Sequence, residues 1–170
     1  MREAVAMVEP KTQPLAPLIE QVAAAQSLGP AGTSLTVVES TLAAGLMPPL
    51  HAHEGDEAFH VLEGSVVLYA GAEIVRLDAG DSFVARGSVP HTHRAATGRA
   101  RWLSMTFASS AGGYEDFVRA VGTPLADGGT APTGEEEAAL LAFAAPSGIA
   151  VLGPPGMLPA ELERRAERAA

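Results

Sequence analysis

The chain has 170 residues, 47% of them hydrophobic and 18% charged, which suits one packed domain and excludes wholesale disorder. With 20 acidic against 11 basic residues the net charge is −9, so phosphate backbones and anionic lipid surfaces are poor partners. There is no cysteine, which removes disulfides, thiolate ligands and cysteine nucleophiles and fits a reducing, cytoplasmic setting, and no stretch approaches the roughly 20 apolar residues of a membrane span.

Residues 1–32 read as an N-terminal arm with a short helix over Pro17–Gln26, opened by proline and stopped at Gly29-Pro30. From residue 33 to residue 108 the grammar changes to short β-rich runs closed by Gly, Pro or Asp. The predicted strands are Leu35–Leu42, Leu50–His53, Glu57–Leu62, Ser65–Tyr69, Glu73–Leu77, Ser82–Ala85, His91–Arg94 and Ala100–Phe107. Such spacing predicts an all-β barrel or sandwich. Residues 109–170 read as a helical and loop-rich extension packed on it, with helices over Tyr114–Val121, Glu135–Ala145 and Pro159–Ala170.

The chemistry concentrates after Gly45. His51 and His53 stand two apart in an extended run, so both rings project from one face. The turn Glu54-Gly55-Asp56 reverses the chain and Glu57 opens the next strand beside them. Two imidazoles and a carboxylate on adjacent strands suit a divalent transition metal with open coordination positions. His91 follows the loop Arg86-Gly87-Ser88-Val89-Pro90 and supplies a fourth ligand if its strand neighbours the first two.

Gly45, His51-x-His53, Glu57 and Gly64 resemble the first motif of the cupin superfamily, and Gly80-Asp81 through His91 resembles its second. In the second motif Arg86 stands where proline is usual, Ser88 where glycine is usual and Ala95 where asparagine is common. The phrases PPLHAHEGDEAFHVLEG, VARGSVPHTHR, AGGYEDFVRAVGTP and SGIAVLGPPG are similar to single-domain proteins of the quercetin 2,3-dioxygenase-like group. That resemblance implies a double-stranded β-helix (cupin, jelly-roll-like) barrel holding one divalent metal, iron, manganese, nickel, cobalt, copper or zinc, on His51, His53, Glu57 and His91. It further implies Glu57 as general base, a small-molecule substrate of flavonol-like, phenolic, enolic or polyketide type, dioxygen as co-substrate, and a homodimer. Non-oxidative isomerase, cyclase or lyase chemistry on the same site, and a non-enzymatic small-molecule-binding barrel, remain open alternatives.

Two further histidines need separate readings. His60 falls off the inward parity of Glu57, Phe59 and Val61, and is expected on the outer face. His93 shares the face of His91, where the resemblance leads one to expect an aromatic ring. It is a packed core imidazole, a residue that contacts substrate or the metal's ligands and acts with Glu57 in catalysis, or a direct metal ligand.

Overall fold

The computed structural model describes residues 22–28, 34–44, 47–108, 144 and 148–169. Among the described residues ten strands run in chain order: β1 (Val22–Leu28), β2 (Ser34–Ala43), β3 (Pro49–His53), β4 (Glu57–Glu63), β5 (Ser65–Ala70), β6 (Glu73–Asp78), β7 (Ser82–Ala85), β8 (His91–Ala95), β9 (Arg99–Ala108) and β10 (Ile149–Pro155). One helix, α1 (Pro159–Ala169), closes the described chain. The strands form two five-stranded antiparallel sheets, β1-β2-β9-β4-β7 and β10-β3-β8-β5-β6. Most successive strands switch sheets, the connection pattern of a jelly roll. The two-sheet β-barrel expected over 33–108 is present.

Alternation builds the interior. Along β9, Ala100, Trp102, Ser104 and Thr106 are buried while Arg101, Leu103 and Met105 between them are only half-buried. The neighbouring β2 buries Thr36, Val38, Ser40 and Leu42, and the pair of strands runs from Ala100 and Leu42 at one end to Thr106 and Thr36 at the other. Toward one end Leu42, Phe59, Val61, Val66, Leu68, Leu77, Ala100 and Trp102 pack as a continuous core. Toward the other end, Glu57, Thr106 and Thr36 are neighbours across β4, β9 and β2. That polar end holds the candidate site.

Two expectations are corrected outside the central barrel. Val22–Leu28 is a strand, where the short helix Pro17–Gln26 was expected. Its seven residues pair with Leu28↔Ser34 through Val22↔Ser40 on β2, so ladder hydrogen bonds override the helix preference of three consecutive alanines. The extension expected as helix and loop also contains β10, which lies along the free edge of β3. The Pro159–Ala170 helix is seen as α1, with Glu161 in its first turn and Arg168 in its last, as the helix dipole favours. The helix expected over Tyr114–Val121 lies outside the described residues, as does that over Glu135–Ala145 except Ala144, which is helical and buried.

Candidate metal centre

Three segments assemble the site. His51 and His53 come from β3, Glu57 from the start of β4, and His91 from the start of β8, where it is in register with His51. The connecting loops lock together. The Gly87 amide donates to Asp56 Oδ1 at 2.7 Å and the Ser88 amide to the His53 carbonyl at 2.7 Å. Gly87 is required for this approach, because a Cβ there would overlap the Glu54 carbonyl oxygen. Ser88 adopts a positive φ of 63°, a conformation that favours glycine, the residue usual at that place in the cupin motif.

Each imidazole is oriented by a backbone carbonyl two residues away. The Nδ1–H of His51 donates to Pro49 O at 3.0 Å, that of His53 to Gly55 O at 2.8 Å and that of His91 to Val89 O at 2.8 Å. A carbonyl only accepts, so these bonds fix the protonated nitrogen as Nδ1 and leave Nε2 facing the interior. Nε2 of His53 and of His91 lie 3.0 and 3.1 Å from Glu57 Oε2. The candidate ligand atoms of His51, His53, Glu57 and His91 all lie within 4.8 Å of one another.

That arrangement fits a cation. With Nδ1–H already donated, an Nε2–H pointing at Glu57 makes the ring an imidazolium; a divalent ion can take the place of those protons and accept the lone pairs instead. Three imidazoles, each held through its other nitrogen, and one carboxylate make a donor set suited to a divalent transition metal. Electrostatics agree. Burial alone would raise the pKa of Glu57, yet hydrogen bonds from His53 and His91 outweigh it and hold the carboxyl well below its usual range. Burial lowers the pKa of His51 to about 3, assisted by the neighbouring His91, so its Nε2 is a free lone pair at neutral pH. For His91 burial works downward, but Glu57 prevails and raises its pKa.

His93 lies beside this group. It is 8% exposed, with its ring edge-on to Trp102 at 4.9 Å and to Phe59 at 5.6 Å. Neither of its ring nitrogens has a hydrogen-bond partner. Burial lowers its pKa to about 4, so it is neutral, with one donor and one acceptor to offer. Thr106 Oγ1 is likewise buried without a partner, on the strand position next to Glu57. The sequence reading missed Thr106; its parity with Trp102 along β9 was the available signal. His60 stands on the outer face as expected, with Nδ1 hydrogen-bonded to Ser82 Oγ at 2.9 Å.

Residues 38–106, which include the strands that hold the site, match the family profile described as a cupin domain. A search of curated proteins finds no significant match. Among solved structures, KdgF from Halomonas sp. is similar at 22% identity and a TM-score of 0.46, over 58% of this chain and 86% of that one. The DMSP lyase DddQ from Ruegeria pomeroyi DSS-3 is similar at 25% identity and a TM-score of 0.41, over 44% of this chain and 38% of the lyase. Salicylate 1,2-dioxygenase from Pseudaminobacter salicylatoxidans shows 26% identity and a TM-score of 0.40, over 42% of this chain and 20% of the dioxygenase. The chain thus spans about two fifths of the lyase and one fifth of the dioxygenase. Among the described residues no helix is long and apolar enough to cross a membrane.

Proposed function

We propose that this protein is a metal-dependent cupin enzyme, a quercetin 2,3-dioxygenase-like oxygenase acting on a flavonol-like, phenolic, enolic or polyketide-type small molecule. The observation that carries the reading is the convergence of three carbonyl-oriented imidazoles on one buried carboxylate. When bound, a divalent transition metal would supply a Lewis acid with open positions for a substrate oxygen and for dioxygen.

The chain's own residues do the rest. His51, His53 and His91 present three Nε2 donors without needing to reorient, because their carbonyl partners already fix the rings. Glu57, the one carboxylate at the centre of this group, is the candidate base: freed from its hydrogen bonds to His53 and His91, it would accept the proton of a substrate hydroxyl and leave an enolate or phenolate. His93, with both nitrogens unpartnered, holds a substrate oxygen in orientation by one hydrogen bond. A homodimer through sheet edges completes the reading, since the edge strands β6 and β7 each expose an apolar side chain, Ile74 and Val84. Light scattering tests it, and a monomer at micromolar concentration rejects it.

An oxygen electrode with a panel of flavonols, enols and phenols tests the activity. Oxygen consumption by the wild type that falls about 10²–10⁴-fold in Glu57→Gln supports the reading. Turnover that continues without oxygen assigns the same proton abstraction to a lyase or isomerase. A metal-loaded protein that binds panel compounds and converts none is a binding module, and the enzymatic reading fails.

A further inference from the structure

β3 carries two of the four candidate ligands, yet it is weakly held on its inner side. Toward β8 it has one register pair, His51↔His91, supplemented by the Thr92 hydroxyl donating to Pro48 O at 2.9 Å and the Ser88 amide donating to His53 O. Toward β10 it has a ladder along its whole length: Ile149↔His53, Ala150↔Ala52, Val151↔His51, Gly153↔Leu50 and Pro155↔Pro49. Both histidines are therefore in register with residues of β10. Without β10, the strand bearing His51 and His53 would be an edge strand held by one register pair to β8 and the two bonds from Thr92 and Ser88.

The chain anchors β10 with its own devices. Ile149, opposite His53, is 2% exposed, and Met157 is 4% exposed with its side chain closing over Gly153. The absence of a side chain at Gly153 is what admits Met157, since a Cβ there would overlap the methionine sulfur. Two register shifts, between Val151 and Gly153 and between Gly153 and Pro155, bend the strand where that contact is made. α1 follows directly, with Pro159 buried at its start.

We infer that β10 is a working part of the metal centre: its docking positions His51 and His53, so that docking and metal binding strengthen one another. This rests on the metal site proposed above. Any factor by which docked β10 raises metal affinity must appear, by thermodynamic reciprocity, as the factor by which metal tightens the docking of β10. A strand that only covers an edge gains no protection beyond what the rest of the sheet gains. The expected factor is about 10–100-fold, the range for groups that orient metal ligands from outside the coordination sphere.

The test is amide hydrogen exchange of the full chain with and without cobalt(II). β6, the edge strand at the other end of the same sheet, serves as the internal control. Protection of the β10 amides should rise about 10–100-fold more than that of β6. Val151→Pro removes a backbone donor opposite His51 and should weaken cobalt(II) binding by a similar factor and alter its absorption spectrum, whereas Ile74→Pro on β6 should leave both unchanged. Val151→Ala, which keeps the backbone donor, should bind cobalt(II) as the wild type does. Equal protection of β10 and β6, or unchanged affinity in a folded Val151→Pro protein, overturns the coupling while leaving the metal site intact. A wild type that binds no cobalt(II) overturns both.

Discussion

Replacing Gly87 with alanine should damage the candidate metal centre without touching any of its four candidate ligands. The new methyl would overlap the Glu54 carbonyl oxygen and stand 3.0 Å from the Glu54 carbonyl carbon and 3.3 Å from that of Gly55. These are backbone atoms of the turn whose Gly55 carbonyl orients His53, so relief requires the 86–90 loop and the 54–56 turn to separate. Separation stretches the Gly87 amide bond to the Asp56 carboxylate, worth about 1.5–3 kcal/mol as a hydrogen bond to a charged group, and overpacking adds about 1–3 kcal/mol. We expect a loss of about 3–5 kcal/mol in urea unfolding of the metal-free protein. We also expect metal affinity to fall about 10–100-fold in competition with a chelator, because His53 loses its fixed orientation. A variant within about 0.5 kcal/mol of wild type would show that the two loops are not clamped as described.

Ser88→Gly should act in the opposite sense: relief of the left-handed backbone, less the added freedom of the unfolded chain, gives about 1 kcal/mol of stabilisation by urea unfolding, and a destabilised variant would refute the strain. His93→Phe removes two buried unpartnered nitrogens, so the protein should gain about 1–3 kcal/mol and keep its metal while turnover drops about 10–100-fold; unchanged turnover would reduce His93 to a packed ring. For pH, His51 and His93 are held neutral when folded, with pKa values lowered to about 3 and about 4, while the unfolded chain protonates them near 6.5. Between pH 6.5 and 5.5 the unfolded state therefore gains protons that the folded state refuses, costing about 1 kcal/mol per histidine. His91, whose pKa is raised, contributes stability that is full below 6.5 and is lost as pH rises through its folded value, so it offsets part of that loss. The metal-free protein should accordingly unfold at lower urea at pH 5.5 than at 6.5, and a midpoint that rises on acidification would contradict the neutral assignments.

The central barrel was legible because its interior obeys a period of two and its turns carry glycine and aspartate. Each of the eight strands expected between residues 33 and 108 is present, with ends shifted by no more than one residue. The candidate ligand group was legible for the same reason: strand parity places His51 with His53, and a single tight turn returns Glu57 beside them. What the sequence concealed is nonlocal. Pro17–Gln26 reads as a helix from its opening proline, the shared face of Leu18, Val22 and Gln26 and the Gly29-Pro30 stop, yet Val22–Leu28 pairs as a strand along the edge of β2. Residues 149–155 contain glycine and two prolines, a poor strand by composition, yet they pair along the whole of β3. The partnerless hydroxyl of Thr106 emerges only once β4 and β9 stand in register.

Cobalt(II) titration of the metal-free protein tests the central claim most directly, followed by absorption and by elemental analysis of the desalted complex. The account predicts saturation at one equivalent per chain in the wild type, and no retained cobalt in a folded His51→Ala/His53→Ala double variant. Stoichiometric cobalt in that variant would place the metal elsewhere and remove the basis for the proposed chemistry.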